Sequence, residues 1–269
     1  MSCLIRVRRV YILTIYLVSI NFGSVTSLVT AQELPQRAEY FSYVNWDYQH
    51  RNELMGWKNS AALVRATLQE WGYTVDSKKV ENTGAEGMDL FQQTVATQRS
   101  EGLKLVYLAS HQTPSGRIDY PDKTKAHWSQ ALNLHEKDSG NPSIMLLDLC
   151  HADVIPHTRM EGKVPFHFLL SAAAANEETY ELRMFARRPV DFRRRFRDEV
   201  EWMKEQLGPK WKGEVSFAGF LWVRQFLKTP QAPQSHADWK EFLKGMEQEA
   251  ADFARDRSRY LSSSLALWE

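Results

Sequence analysis

Cysteine is almost missing from this chain: two occur in 269 residues, Cys3 and Cys150. A fold stapled by several disulfides is therefore excluded. Net charge is almost missing too, at +1 by formal count, so composition gives no sign of a nucleic-acid surface or of a strongly acidic partner. Several sequence motifs are also absent. There is no H-E-x-x-H, no cysteine pair and no similar ligand spacing, so no catalytic metal is expected. Six of the eight histidines fall between His111 and His167, with His151, Asp153 and His157 close together; without ligand spacing they read as loop histidines. No Gly-rich phosphate loop is present, and no cofactor is expected. G-x-S-x-G is missing, which removes a serine hydrolase of the strand–turn–helix type. No internal repeat or coiled coil is found.

The N-terminus has a distinct pattern. Arg6, Arg8 and Arg9 precede an uncharged stretch from Val10 to Phe22, and small and polar residues follow as far as Ala31. This is the three-part layout of a secretory signal, with Val29 and Ala31 suited to the cleavage pocket. The apolar stretch is short for a bilayer span, so cleavage and export, to periplasm or medium, are expected rather than membrane anchoring. Removal of residues 1–31 takes away three arginines, no acid and Cys3, and leaves Cys150 as the one thiol.

Five runs read as strands: 40–46, 73–80, 103–109, 143–150 and 166–173. The last three are nearly continuously apolar, as strands covered on both faces of a parallel sheet are. Helical patterns separate the early ones. Residues 57–72 place Ala62, Leu63, Ala66 and Leu68 near one face and end at Gly72; residues 87–102 end at Gly102. Strand alternating with helix predicts βαβ units in an α/β/α sandwich around a mostly parallel sheet. Further on, 188–208 reads as a helix with Phe196, Val200, Met203 and Leu207 at helical spacing, and its arginine run (Arg193, Arg194, Arg195, Arg197) reads as a solvated face. Residues 229–235 read as a linker. A last helix, from about 237 to 260, carries a stripe of Trp239, Leu243, Met246, Ala250 and Phe253.

Sites in such sheets lie at the carboxyl ends of the strands. His111 follows the third strand and Cys150 ends the fourth, which puts both on one rim. A thiolate attacks far better than a thiol, so a nucleophilic cysteine needs exposure and a nearby base. Cys150 and His111 satisfy those requirements as a candidate Cys–His dyad for acyl transfer. Read from the residues alone, a small buried cysteine is an equal alternative.

The order of features resembles the caspase–metacaspase–legumain group of cysteine peptidases. "NSAALVRATLQEWGYTV" is similar to the helix and second strand that open that fold. "LVYLASHQTPSG" is similar to its strand ending Ser-His-Gly, "IMLLDLCHAD" to the metacaspase strand ending Asp-x-Cys-His-Ser-Gly, and "FHFLLSAAAANEETYE" to the strand that follows. The match runs over residues 40–185. It implies a caspase-like peptidase domain over 32–228 and a C-terminal helical extension over 229–269. It also implies a polypeptide substrate, Cys150 as nucleophile, His111 as base, and the backbone N–H groups of Gln112 and Cys150 as oxyanion donors. Asp148 corresponds to the metacaspase acid that binds a basic residue before the scissile bond. If that pocket is basic, the loop after Cys150 offers Arg159 and Lys163 as autocleavage sites.

The departures are equally specific. Gln112 and Asp153 stand where the family has glycine, and Asn59-Ser60 stands where metacaspases often have Asn-Asp. They define the alternative: a catalytically degenerate protein that keeps the fold for binding or regulation. The oligomeric state is not legible.

Overall fold

In the computed structural model, the residues described are 36–48, 55–97, 102–127, 141–150, 166–172, 181–183, 197–256 and 265–268. The leader, the loop carrying His151, Asp153, Arg159 and Lys163, and the Arg193–Arg195 run lie outside them.

The main sheet has the order β10-β7-β6-β3-β1-β2. Its parallel strands are β1 (Arg37–Val44), β2 (Thr74–Glu81), β3 (Leu103–Gln112), β6 (Ser143–Leu149) and β7 (Phe168–Ser171), and β10 (Ala266–Trp268) joins β7 antiparallel. Continuous apolar sequence accounts for the central strands: every residue of β6 and β7 is buried, and in β3 only His111 is less than fully so. The edge strand β2, TVDSKKVE, is largely exposed, and its lysines Lys78 and Lys79 guard an open strand edge.

Helices cover both faces. α1 (Met55–Glu70) packs on one face through Trp57, Ala61, Leu63, Val64 and Leu68. Gly72, at φ +89°, ends α1: its N–H bonds to Gln69 O and that of Tyr73 to Leu68 O, the paired bonds of a Schellman stop. α2 (Ala85–Thr97) packs Met88, Phe91 and Val95 on the opposite face. The architecture is the expected three-layer α/β/α sandwich. Sequence reading did not anticipate the β4 (Arg117–Asp119) and β5 (Lys125–His127) hairpin that extends from β3, or the small sheet of β8 (Glu181–Arg183) and β9 (Glu214–Ser216). Three-residue strands carry too little periodicity to be seen.

The C-terminal helices share a core with the strands and helices before them. α3 (Arg197–Leu207), α4 (Phe217–Lys228) and α5 (His236–Asp256) contribute Val200, Met203, Phe220, Trp222, Trp239, Phe242, Leu243 and Met246 to the same core as α1. Trp239 stacks on Trp222 at 6.2 Å and meets Trp71 edge-on at 5.9 Å. The 229–235 connector is held down as well. Thr229 O accepts from Trp71 Nε1 at 3.1 Å, and Pro233 O accepts from the Tyr73 hydroxyl. With β10 paired to β7, the described residues belong to one compact unit.

Candidate active site at the carboxyl ends of β3 and β6

Strand alternation decides which way each candidate faces. In β3, Leu105, Tyr107 and Ala109 face α1, while Val106 and Leu108 face α2. In β6, Leu146 and Asp148 share the α1 side, while Leu147 and Leu149 take the other. His111 and Cys150 continue the α1-facing phase of each strand. The β3–β6 register ends with Ser110 opposite Leu149, so the next pair in line is His111 and Cys150. Adjacent strands lie about 4.8 Å apart. The register therefore carries the two residues to one rim of the sheet, His111 near the end of β3 and Cys150 one residue beyond β6. Both residues are half-buried.

His111 is closely held. Its ring lies 4.6 Å from the Tyr48 ring and 5.4 Å from that of Trp57, centroid to centroid. Its N–H donates to the Tyr48 hydroxyl at 3.1 Å, and that hydroxyl donates to Asp119 O at 3.0 Å and lies 2.8 Å from Ser110 Oγ. Burial pushes the Tyr48 phenol well above its ordinary pKa, so it stays protonated and able to donate.

Gln112 is accommodated without glycine's freedom. It is the last residue of β3, pairs with Ile118 of the hairpin and is buried, and it has no positive φ. The turn's demand for a left-handed residue falls instead on Gly116, at φ +74°. The N–H of His111 points to the Tyr48 side of β3. By alternation that of Gln112 points the other way, toward the end of β6.

Asp148 is fully buried, and the Tyr107 hydroxyl donates to its Oδ2 at 2.5 Å. Burial, with the Asp148 carboxyl beside it, drives the Tyr107 phenol far upward in pKa. The void next to Asp148, bounded by Val64, Leu170, Trp222 and Met246, is only about 10 Å³. Asn59 and Ser60 have structural partners. Asn59 Nδ2 donates to Glu214 O at 2.9 Å. Ser60 Oγ donates to Gly56 O at 2.7 Å and accepts the N–H and hydroxyl of Ser216, each at 2.9 Å, which pins the start of α4 to α1. A wider groove of about 310 Å³ lies between α1 and residues 209–214, lined by Asn59, Ala62, Ala66 and Trp211. It contains neither candidate catalytic residue. Among the described residues no three His, Cys, Asp or Glu side chains gather as metal ligands, and no helix is long and apolar enough to cross a membrane.

Tyr48, Trp57 and Tyr107 were not singled out by the sequence. Only Tyr107 carried a usable signal, since four residues before His111 on a strand is the same face.

No protein-family model matches the chain, and no curated protein matches its sequence. The fold does have solved counterparts. One is the crystal structure of caspase-1 from Spodoptera frugiperda, which superposes with a TM-score of 0.53 at 15% identity over 90% of each chain. The chain therefore has a caspase-like α/β fold.

Proposed function

We propose that this chain is a cysteine endopeptidase in which Cys150 is the nucleophile and His111 the general base. The observation that supports the reading is the β3–β6 register, which ends with Ser110 opposite Leu149, one residue before His111 and Cys150. The thiol proton passes from Cys150 Sγ to the His111 imidazole. The thiolate then adds to the scissile carbonyl carbon, and the resulting oxyanion is met by the N–H groups of Gln112 and Cys150. The imidazolium returns the proton to the departing amine, leaving a thioester. Water, deprotonated by the neutral imidazole, hydrolyses that thioester and restores the thiol.

A basic residue before the scissile bond is the preference that Asp148 supports, through a charge-assisted hydrogen bond. Such a side chain would share that carboxyl with the Tyr107 hydroxyl, which donates to Oδ2. Export follows from the N-terminal residue pattern.

A second reading, a caspase-fold binding protein without turnover, is favoured by the same burial of Asp148. A peptide library incubated with the protein and with Cys150→Ala separates the two. The peptidase reading expects cleavage by the first and none by the second; equal cleavage by both, or cleavage by neither, contradicts it.

A further inference from the structure

Resting on the peptidase reading, we infer that Tyr48 is a positioning residue that sets the placement of His111 against Cys150. A general base near the end of a strand has two ways to drift: the strand end can splay, or the ring can rotate. Tyr48 acts on both. Its hydroxyl accepts the His111 N–H at 3.1 Å and donates to the carbonyl of Asp119 at 3.0 Å. Asp119 is the residue paired with His111 across the β3–β4 hairpin, so one hydroxyl ties both strands together at the histidine itself. The tie is reinforced by Ser110 Oγ, which lies 2.8 Å from the Tyr48 hydroxyl and donates to the same Asp119 carbonyl at 3.0 Å. Asn45, just beyond β1, donates to Ser110 Oγ at 3.3 Å, so the end of β1 is included in the same network.

The aromatic ring supplies the second restraint. It lies 4.6 Å from the imidazole at 59°, and the Trp57 ring lies 5.4 Å from the same imidazole at 72°. Both aromatic residues are buried, Tyr48 at 6% and Trp57 at 3% exposure, so they form fixed walls. The half-buried His111 ring is thereby confined to a narrow range of rotations. Proton transfer from a thiol depends steeply on that range, since a displacement of about 1 Å costs on the order of a hundredfold in rate.

The hydroxyl and the ring have separable roles, and two variants distinguish them. Tyr48→Phe keeps the ring and removes the bridge; Tyr48→Leu removes both. Each is compared with the wild type for kcat, KM, the pH profile of turnover, thermal midpoint, and the rate at which a neutral haloacetamide alkylates Cys150. The expected result is a kcat lower by about tenfold in Tyr48→Phe and by about a hundredfold in Tyr48→Leu, with KM little changed. Cys150 alkylation should slow in the same order, and Tyr48→Phe should remain folded. A folded Tyr48→Phe and a folded Tyr48→Leu with wild-type kcat and alkylation rate overturn the inference and leave the peptidase reading standing. A wild type that shows neither turnover nor alkylation faster than a free thiol overturns the peptidase reading, and the inference with it.

Discussion

The Tyr107 hydroxyl and the Asp148 carboxyl meet at 2.5 Å across the β3–β6 pair, two residues on the sheet side of Cys150 and entirely out of water. The side chain proposed to read a basic substrate residue is thus part of the packed interior. Tyr107 therefore competes with any such residue for one oxygen of that carboxyl.

Tyr107→Phe should lower folding stability by about 1–3 kcal/mol, the usual result of taking one partner from a buried polar pair. It should also strengthen the preference for Arg or Lys before the scissile bond, because the carboxyl loses its internal donor. Urea unfolding and library cleavage measure the two effects. Unchanged stability with an unchanged library profile would show that the pair neither braces the sheet nor limits the pocket.

The C-terminal helices are expected to be indispensable. Trp239 is 1% exposed and packs against Trp71, Trp222 and Phe242. Trp239→Ala should cost about 3–5 kcal/mol by the cavity it leaves. A chain ending at residue 228 should not fold cooperatively, because it lacks β10 as well as Trp239 and Phe242, which cover Trp71 and Trp222. A truncated protein with a normal unfolding transition would support a domain boundary at 229.

How far the sequence reached depends on periodicity. β3, β6 and β7 were legible because unbroken apolar runs need cover on both faces, and Gly72 marked the end of α1 through its left-handed backbone. The rim position of His111 and Cys150 followed from the strand ends. The packing of α5 did not follow: its stripe of Trp239, Leu243 and Met246 was visible, but an amphipathic face does not say which surface it meets. The clamp on His111 was invisible for a related reason. Tyr48 lies 63 residues away in sequence, and no local pattern links a hydroxyl beyond β1 to an N–H in β3. The same holds for Ser60 and Ser216, 156 residues apart.

Alkaline pH should unfold the protein cooperatively. Burial raises the phenol of Tyr43 to about 12, and those of Tyr40, Tyr48 and Tyr107 are also pushed up. A group whose pKa is raised in the folded state contributes stability that is complete below its unfolded value. That value is about 10 for tyrosine, and the contribution is lost as pH climbs above it toward the folded value. Tyrosinate absorbance and circular dichroism followed together should therefore change in one transition above about pH 10. Smooth ionisation near 10 with the fold intact would show that these phenols are accessible.

The most direct test of the central claim is trapping of the acyl-transfer nucleophile. The protein is incubated with a peptidyl acyloxymethyl ketone bearing Arg, and digestion and mass spectrometry locate the adduct. A dyad on adjacent strand ends predicts rapid, single labelling of Cys150 in the wild type, and labelling slower by at least about a hundredfold in folded His111→Ala, the lower end of what a positioned base contributes. No adduct on Cys150, or an adduct formed equally fast without His111, would contradict the account.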